Sequence, residues 1–354
     1  MFYDIPKIAP KKIIFRILIL IQGIILTLLM IDLLLKFNYL ILPYNNSNGW
    51  WRWHWIHSRQ KNKPEQSAYA DIFDPLLGWI PQRNTRIINN NKIYTFNSIG
   101  IRSGNEFNTV NREKTRLVAL GDSFVYGECV GDDETFSTLM EQNSRNLEVM
   151  NFGVHGYGLD QIYLRLKNAL TYSPDIVILG LYNEEVERVR LSFREFPKPH
   201  LRLNKGRLEP DNIPLVSPDS YTGKFNLEVI NFIDYAKEVL VSYYLPQLNL
   251  KKEENLVIPI LNEILLLADK NDISINFIYL PLRYEVLAGK SDMHPVFQLF
   301  CSQNIVRCFD PTEFLHLYLA SQLNPESHFT CHYSPEIHAQ LAKFILTKIG
   351  LNYE

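Results

Sequence analysis

Between Arg116 and Phe309 the chain repeats one pattern, a short apolar run followed by a longer stretch with apolar residues at helical spacing. The runs Arg116–Leu120, Leu147–Asn151, Asp175–Gly180, Ser274–Leu280 and Asn304–Phe309 read as strands. Their near-continuous hydrophobicity is what a strand needs when both faces of its sheet are covered. Helical periodicity fills several of the gaps. Thr135–Asn143 is apolar at 136, 139 and 140, and Leu159–Leu170 at 159, 162, 163, 166 and 170. Val257–Leu267 and Pro335–Ile349 behave alike. Ser334-Pro335 supplies an N-cap and a first helical residue for the last of these. Strands alternating with helices predict an α/β domain with a mainly parallel five-stranded sheet.

Two regions break the alternation. Ile13–Leu35 is 23 residues, almost all apolar, interrupted by Arg16, Gln22 and Asp32. A spanning helix needs about 20 such residues. Lys7, Lys11, Lys12 and Arg16 crowd its N-terminal flank, and Lys36 is the only base close behind it. That asymmetry predicts a single-pass anchor with its N-terminus in the cytoplasm and residues 36–354 outside. Leu33-Leu34-Leu35-Lys36-Phe37 is a poor cleavage site, so an uncleaved anchor is preferred to a signal peptide. Residues 185–255 form the second interruption. They hold Pro197, Pro199, Pro210, Pro214 and Pro218 and a helical pattern around Asn226–Tyr244. Lying between the third and fourth strands, this segment is expected to overhang the carboxyl end of the sheet as a lid or binding element. The expected organisation is a tail at 1–12, an anchor at 13–35, a linker with a small extension at 36–113, and a catalytic domain at 114–350 carrying the 185–255 insertion.

Composition narrows the functional classes. The 354 residues carry a net charge of −2, which gives no electrostatic reason to expect nucleic acid. The four cysteines, Cys129, Cys301, Cys308 and Cys331, show no metal-site spacing; only a Cys301–Cys308 bridge stands out as an option. No phosphate loop or dinucleotide fingerprint is present, and no cofactor is expected. The run Trp50-Trp51-Arg52-Trp53-His54-Trp55 follows the anchor. It reads either as a membrane-interface belt or as packing on the domain.

The chemistry-bearing residues fall at predicted strand ends or in late loops. Gly121-Asp122-Ser123 follows the first strand, placing a serine at the carboxyl edge of the sheet beside a helix N-terminus. Asn151-Phe152-Gly153-Val154-His155-Gly156 follows the second strand, where a glycine lets backbone N–H groups face a ligand. Gly180-Leu181-Tyr182-Asn183 follows the third, and His332-Tyr333-Ser334-Pro335 precedes the last helix. A serine, a histidine and several donors are the parts that acyl transfer needs.

These four blocks, in this order over about residues 114–350, resemble the SGNH, or GDSL-type, hydrolases, in their membrane-anchored bacterial form. The resemblance implies a flavodoxin-like three-layer α/β/α sandwich. It implies Ser123 as nucleophile and His332 as general base. The oxyanion hole would be the Ser123 and Gly156 N–H groups with the Asn183 amide. Asp74-Pro75-Leu76-Leu77-Gly78-Trp79 and Asn97-Ser98-Ile99-Gly100-Ile101-Arg102 are similar to the small β-rich extension of anchored relatives, which implies scaffolding. Two departures stand out. Glu184 follows Asn183 where the family has aspartate. Phe329 occupies the position, three before the histidine, where the family has its acid. Three arrangements are open: a Ser–His dyad steadied by a backbone carbonyl, an acid from elsewhere such as Glu326 or Asp310, or His328 as the base. Asp122 is expected to brace the turn, His155 either to touch substrate or to be an ordinary loop residue, and Arg188 and Arg190 either to bind an anionic group on a substrate or, as the preferred reading, to be solvated.

Three functions follow from this reading. The first is a serine ester hydrolase outside the cytoplasmic membrane, acting on acylated carbohydrate, lipid or small esters. The second is an O-acyltransferase modifying envelope polysaccharide, and the third a non-catalytic glycan-binding or assembly protein. Nothing in the sequence indicates acyl chain length or oligomeric state.

Overall fold

In the computed structural model the described residues are 10–37, 40–44, 46–59, 69–108, 113–218, 220, 228–244, 246–329 and 331–353. The basic residue Lys7 and most of the expected cytoplasmic tail lie outside them. Five strands build the central sheet: β1 (Thr115–Leu120), β2 (Leu147–Asn151), β3 (Ile176–Leu181), β4 (Ser274–Tyr279) and β5 (Cys308–Phe309). They are all parallel, in the order β5-β4-β3-β1-β2. This is the doubly wound 2-1-3-4-5 arrangement, whose switch point lies between β1 and β3. The expected fifth strand, 304–309, is mostly a 3-10 turn at Ile305–Arg307, with only two residues pairing.

Alternate residues of each strand enter opposite cores. Val118 and Leu120 pack on one face with Met150, Val177, Leu179 and Phe277 under the helices 159–169, 246–270 and 295–303. Leu117 and Ala119 pack on the other with Val149, Ile178 and Ile278, under the helices 136–142, 312–320 and 335–348. Both faces being covered explains why the strands read as unbroken apolar runs. The fold is the three-layer α/β/α sandwich that the sequence blocks implied.

The extension before β1 consists of two antiparallel hairpins, 71–74 with 78–81 and 85–89 with 92–96. The interruption at 185–255 holds a third hairpin, 201–204 with 207–210, and the helix Glu228–Tyr244. It is fastened to the sandwich by a fully buried ion pair between Lys198 and Asp160, the second residue of the 159–169 helix.

Among the described residues one helix, Lys11–Lys36, is long and apolar enough to cross a membrane. Its end is not free. Asp32 pairs with Lys36 at 2.7 Å and accepts from the Val229 N–H at 3.1 Å. Leu35, Leu42 and Trp53 cluster there with Phe232 and Tyr235. The tryptophan run accordingly packs mainly inward. Trp51, Trp53 and Trp55 are buried, with Trp51 and Trp55 against Leu191 and Phe193.

Candidate active site

Ser123 opens a helix of a single turn, Ser123–Tyr126, directly after β1. So short a helix carries little macrodipole, and what it offers a ligand is individual N–H groups. The turn is held from several sides. Asp122 Oδ1 accepts from the Phe124 N–H at 3.0 Å, and its Oδ2 from Arg188 Nη1 at 2.9 Å. Asn151 Nδ2 donates to the Val125 carbonyl at 2.9 Å. Arg102, from the Asn97–Arg102 segment of the extension, donates to the carbonyls of Tyr126, Gly127 and Val130, pairs through Nε with Asp132 at 3.2 Å and lies over the Tyr94 ring at 4.1 Å. A buried guanidinium satisfied on every side is a rigid strut.

The loop after β2 crosses tightly over this turn. A Cβ at Gly153 would come within 2.4 Å of the Tyr126 nitrogen, so only glycine allows the approach. Gly156 has φ +75°, the left-handed region. Neither the Ser123 nor the Gly156 N–H has a protein acceptor among the described residues. The extension props this loop too. Trp79 Nε1 donates to the His155 carbonyl at 3.0 Å, and Tyr157 Oη to the Trp79 carbonyl at 2.6 Å. Asp71 pairs with His155 Nε2, and Tyr69 stacks on the same imidazole.

At the end of β3 the expected arrangement fails. Asn183 Nδ2 donates to the Asp292 carbonyl at 2.8 Å, and its Oδ1 accepts from the His294 N–H at 2.8 Å. Its amide thereby binds the loop before the 295–303 helix, and Asn183 is not among the residues that wall the cavity over Ser123. One residue earlier, Tyr182 faces Phe124 and lines the cavity over Ser123. The strand ends at Leu181, and Asn183, at φ −56° and ψ −38°, already has helical backbone that turns its side chain away from that of Tyr182. Arg188, expected in solvent, is buried. It links Asp122, the Tyr157 carbonyl at 3.0 Å and Glu184 at 2.7 Å. Burial alone would lower its pKa; Asp122 and Glu184 outweigh that and raise it. Arg190 reaches the Asn46 carbonyl at 3.1 Å.

His332 Nε2 lies 2.9 Å from Ser123 Oγ. Its ring leans on Phe124 at 4.7 Å. Phe329 is packed against Tyr333 in the core beneath. The alternative acids are elsewhere. Glu326 is an exposed partner of Arg283 at 2.6 Å, and Asp310 caps the 312–320 helix by accepting from the Thr312 N–H at 2.9 Å. His328 is not the base either: its Nδ1 meets Ser334 Oγ at 3.0 Å and Glu336 at 3.4 Å, at the start of the last helix.

Two features here escaped the sequence reading. A disulfide joins Cys129, just past the Ser123 turn, to Cys331, and the Cys331 sulfur lies 3.7 Å from His332 Nδ1. Glu128 sits 3.8 Å from His332 Nε2 and accepts from Tyr69 Oη at 2.5 Å. Its only sequence signal was adjacency to the Ser123 block. Cys301–Cys308 is also bridged. Glu128, Cys129, Cys331 and His332 are the one group of potential metal ligands among the described residues. The bridge consumes both thiols and leaves two donors, too few for a structural site.

Ser123, Gly156 and His332 open into a cavity of about 340 Å³, walled by Tyr69, Glu128, Tyr182, Glu184, Arg188, Arg194 and Glu195. The interruption after β3 therefore supplies much of its wall.

No protein-family model and no curated protein matches the chain. Solved structures similar to it include the acetyl xylan esterase AlAXEase, at 13% identity and TM-score 0.40, with 66% of this chain and 99% of that one covered. A catalytic mutant of an acetylxylan esterase from Geobacillus stearothermophilus has 13% identity and TM-score 0.38, with 68% and 95% covered. A member of the lipolytic G-D-S-L family from Veillonella parvula has 10% identity and TM-score 0.38, with 66% and 96% covered. At these identities and scores the likenesses assign no activity. The chain itself has a 2-1-3-4-5 sandwich, with Ser123, Gly156 and His332 brought together at the carboxyl edge of its sheet.

Proposed function

We propose that this protein is a serine ester hydrolase of the SGNH type, anchored by residues 13–35 with residues 36–354 outside the cytoplasm. The observation that carries the reading is the 2.9 Å contact between Ser123 Oγ and His332 Nε2, in a cavity that also holds two N–H groups without protein acceptors. Ser123 Oγ attacks the ester carbonyl carbon while its proton passes to His332 Nε2. The carbonyl π pair moves to oxygen, and the Ser123 and Gly156 N–H groups meet that oxyanion. Collapse expels the alcohol, which takes the proton from His332 and leaves acyl-Ser123. Water, deprotonated by His332, then releases the acid. Among the described residues no carboxylate touches Nδ1; Glu128, 3.8 Å from Nε2, supplies the counter-charge to the imidazolium from the cavity side.

The wall favours a hydroxyl-rich substrate. Glu128, Glu184 and Glu195 offer acceptors and Tyr69 an aromatic face, which suits an acylated carbohydrate better than a lipid chain. The same acceptors fit an incoming sugar hydroxyl, so an O-acyltransferase is the second reading. Two disulfides support a compartment that is not reducing. The test is hydrolysis of nitrophenyl acetate, and fluorophosphonate labelling, by the full chain in detergent. Ser123→Ala and His332→Ala should each lose at least about a thousandfold in kcat, and His328→Ala should stay near wild type. Labelling at another residue, or none in folded protein, rejects the reading. Turnover that rises when sugar acceptors are added selects the transferase.

A further inference from the structure

We propose that Arg194 is a catalytic residue of this site, donating to the oxyanion in the role left open by the Asn183 amide. The inference rests on the serine reading above. Arg194 belongs to the Pro-rich interruption and lines the same cavity as Ser123 and Gly156. An added Cβ at Gly156 would lie 1.7 Å from Arg194 Nη1, so the guanidinium rests directly on the glycine. The position is built. One face of the guanidinium stacks on Trp51 at 4.6 Å, and Trp51 is itself fixed by its Nε1 donating to Asn46 Oδ1 at 3.0 Å.

The charge of Arg194 is poorly answered by the protein. Its side chain is only 12% exposed, and among the described residues its ion-pair contact is with Glu195 alone, at the long distance of 3.5 Å. Its Nε is buried without a partner. Arg188 is engaged through both terminal nitrogens by Asp122, Glu184 and the Tyr157 carbonyl, although its Nε is likewise buried without a hydrogen-bond partner. Burial and the neighbouring Arg188 charge pull the Arg194 pKa down to about 10, so it stays protonated at neutral pH, with only the long Glu195 contact against its charge among the described residues. A desolvated cation that waits for an anion costs the resting protein free energy and returns it when negative charge develops nearby. In the acyl-transfer cycle that charge is the carbonyl oxygen of the tetrahedral intermediate, formed over Gly156. Arg194 gains and loses no proton in the step.

The test uses the full chain in detergent with nitrophenyl acetate and its carboxylate-bearing analogue, mono-nitrophenyl succinate. Arg194→Ala should lower kcat about a hundredfold for both esters, with KM within about threefold. The rate of fluorophosphonate labelling at Ser123 should fall in parallel, and added methylguanidinium should restore part of it. Arg194→Lys keeps the charge and the stem over Trp51 but loses the planar fork, and should fall about tenfold. A folded Arg194→Lys or Arg194→Ala protein with kcat unchanged overturns the proposal. So does a loss confined to KM for the succinate ester, which would assign Arg194 to a substrate carboxylate. If wild type is not labelled at Ser123, the serine reading itself fails; labelling in wild type with an unchanged rate in Arg194→Ala rejects this inference alone.

Discussion

Ser123 and His332 meet at 2.9 Å, yet the two sides of that contact are secured by different physics. The Ser123 turn is locked by buried charge. Asp122 and Arg188 pair at 2.9 Å with side chains 0% and 4% exposed, and Arg102 gathers three carbonyls of the same turn. The His332 loop has no such network. A covalent link from Cys331 to Cys129, a hydrogen bond from Tyr333 Oη to the Pro281 carbonyl at 2.7 Å, and packing of Phe329 hold it. The serine side thus depends on every polar partner being present. The histidine side replaces a triad acid with a crosslink, and leaves charge compensation to Glu128 in the cavity. Where a buried acid would have held the imidazole by a strong directional bond, this chain constrains the loop that carries it.

The largest effects should come from the pair itself. Combining Ser123→Ala with His332→Ala should cost little more than either alone, because the two act as one unit. Additive losses in kcat would show that they do not share a step. Next comes the charge network. Asp122→Ala strands Arg188 and should destabilise the fold by about 3–5 kcal/mol in urea unfolding. The double variant Asp122→Ala with Arg188→Met should recover part of that loss. Equal loss in both would mean that the pair acts through packing, not charge.

His338, on the helix that follows His332, gives a pH test of the histidine side. It is buried, stacks on Phe136, and its Nδ1 accepts from the Phe136 N–H at 3.2 Å. Burial pulls its pKa down to about 3, so the folded state holds it neutral while the unfolded chain binds a proton below the ordinary value of 6.5. The unfolded state then carries the extra proton, and stability falls as pH drops from about 6.5 towards about 3, by about 1.4 kcal/mol per unit. Urea midpoints between pH 7 and 5 should show this slope. His338→Gln should flatten it, and an unchanged slope in that variant would assign the loss to other groups.

The smallest effects should separate the crosslink from the counter-charge. Cys331→Ser should reduce kcat about tenfold through misplacement of the imidazole, with KM little changed. Cys308→Ser, which opens the remote bridge, serves as the control and should leave kcat unaltered. Glu128→Gln should lower kcat by a similar factor without loosening the loop. If Glu128→Gln is silent while Cys331→Ser is not, the site relies on geometry alone.

Much of this architecture was legible from local pattern. Strands buried on both faces must be apolar throughout, and the sheet and its helices follow from that. The serine, the second-block glycine and the histidine stood at strand ends or before a helix, where neighbours in sequence are neighbours in space. The third block misled, because one residue at the end of β3 decides whether a side chain enters the cavity or the adjoining loop. Tyr182 does the first and Asn183 the second. Arg188 looked solvated because a lone arginine carries no mark of its buried partner 66 residues earlier.

The sequence by itself determined the layers of the sandwich, the apolar N-terminal helix, and which serine and histidine were worth bringing together, since each depends on composition and short-range spacing. Only the tertiary structure decided that Cys129 meets Cys331 across 202 residues, that Glu128 faces His332, and that Arg194 settles on Gly156. Those contacts form between segments whose sequences do not record one another. They exist because packing the extension and the interruption onto the sheet leaves these groups adjacent, and burial then makes each pairing matter.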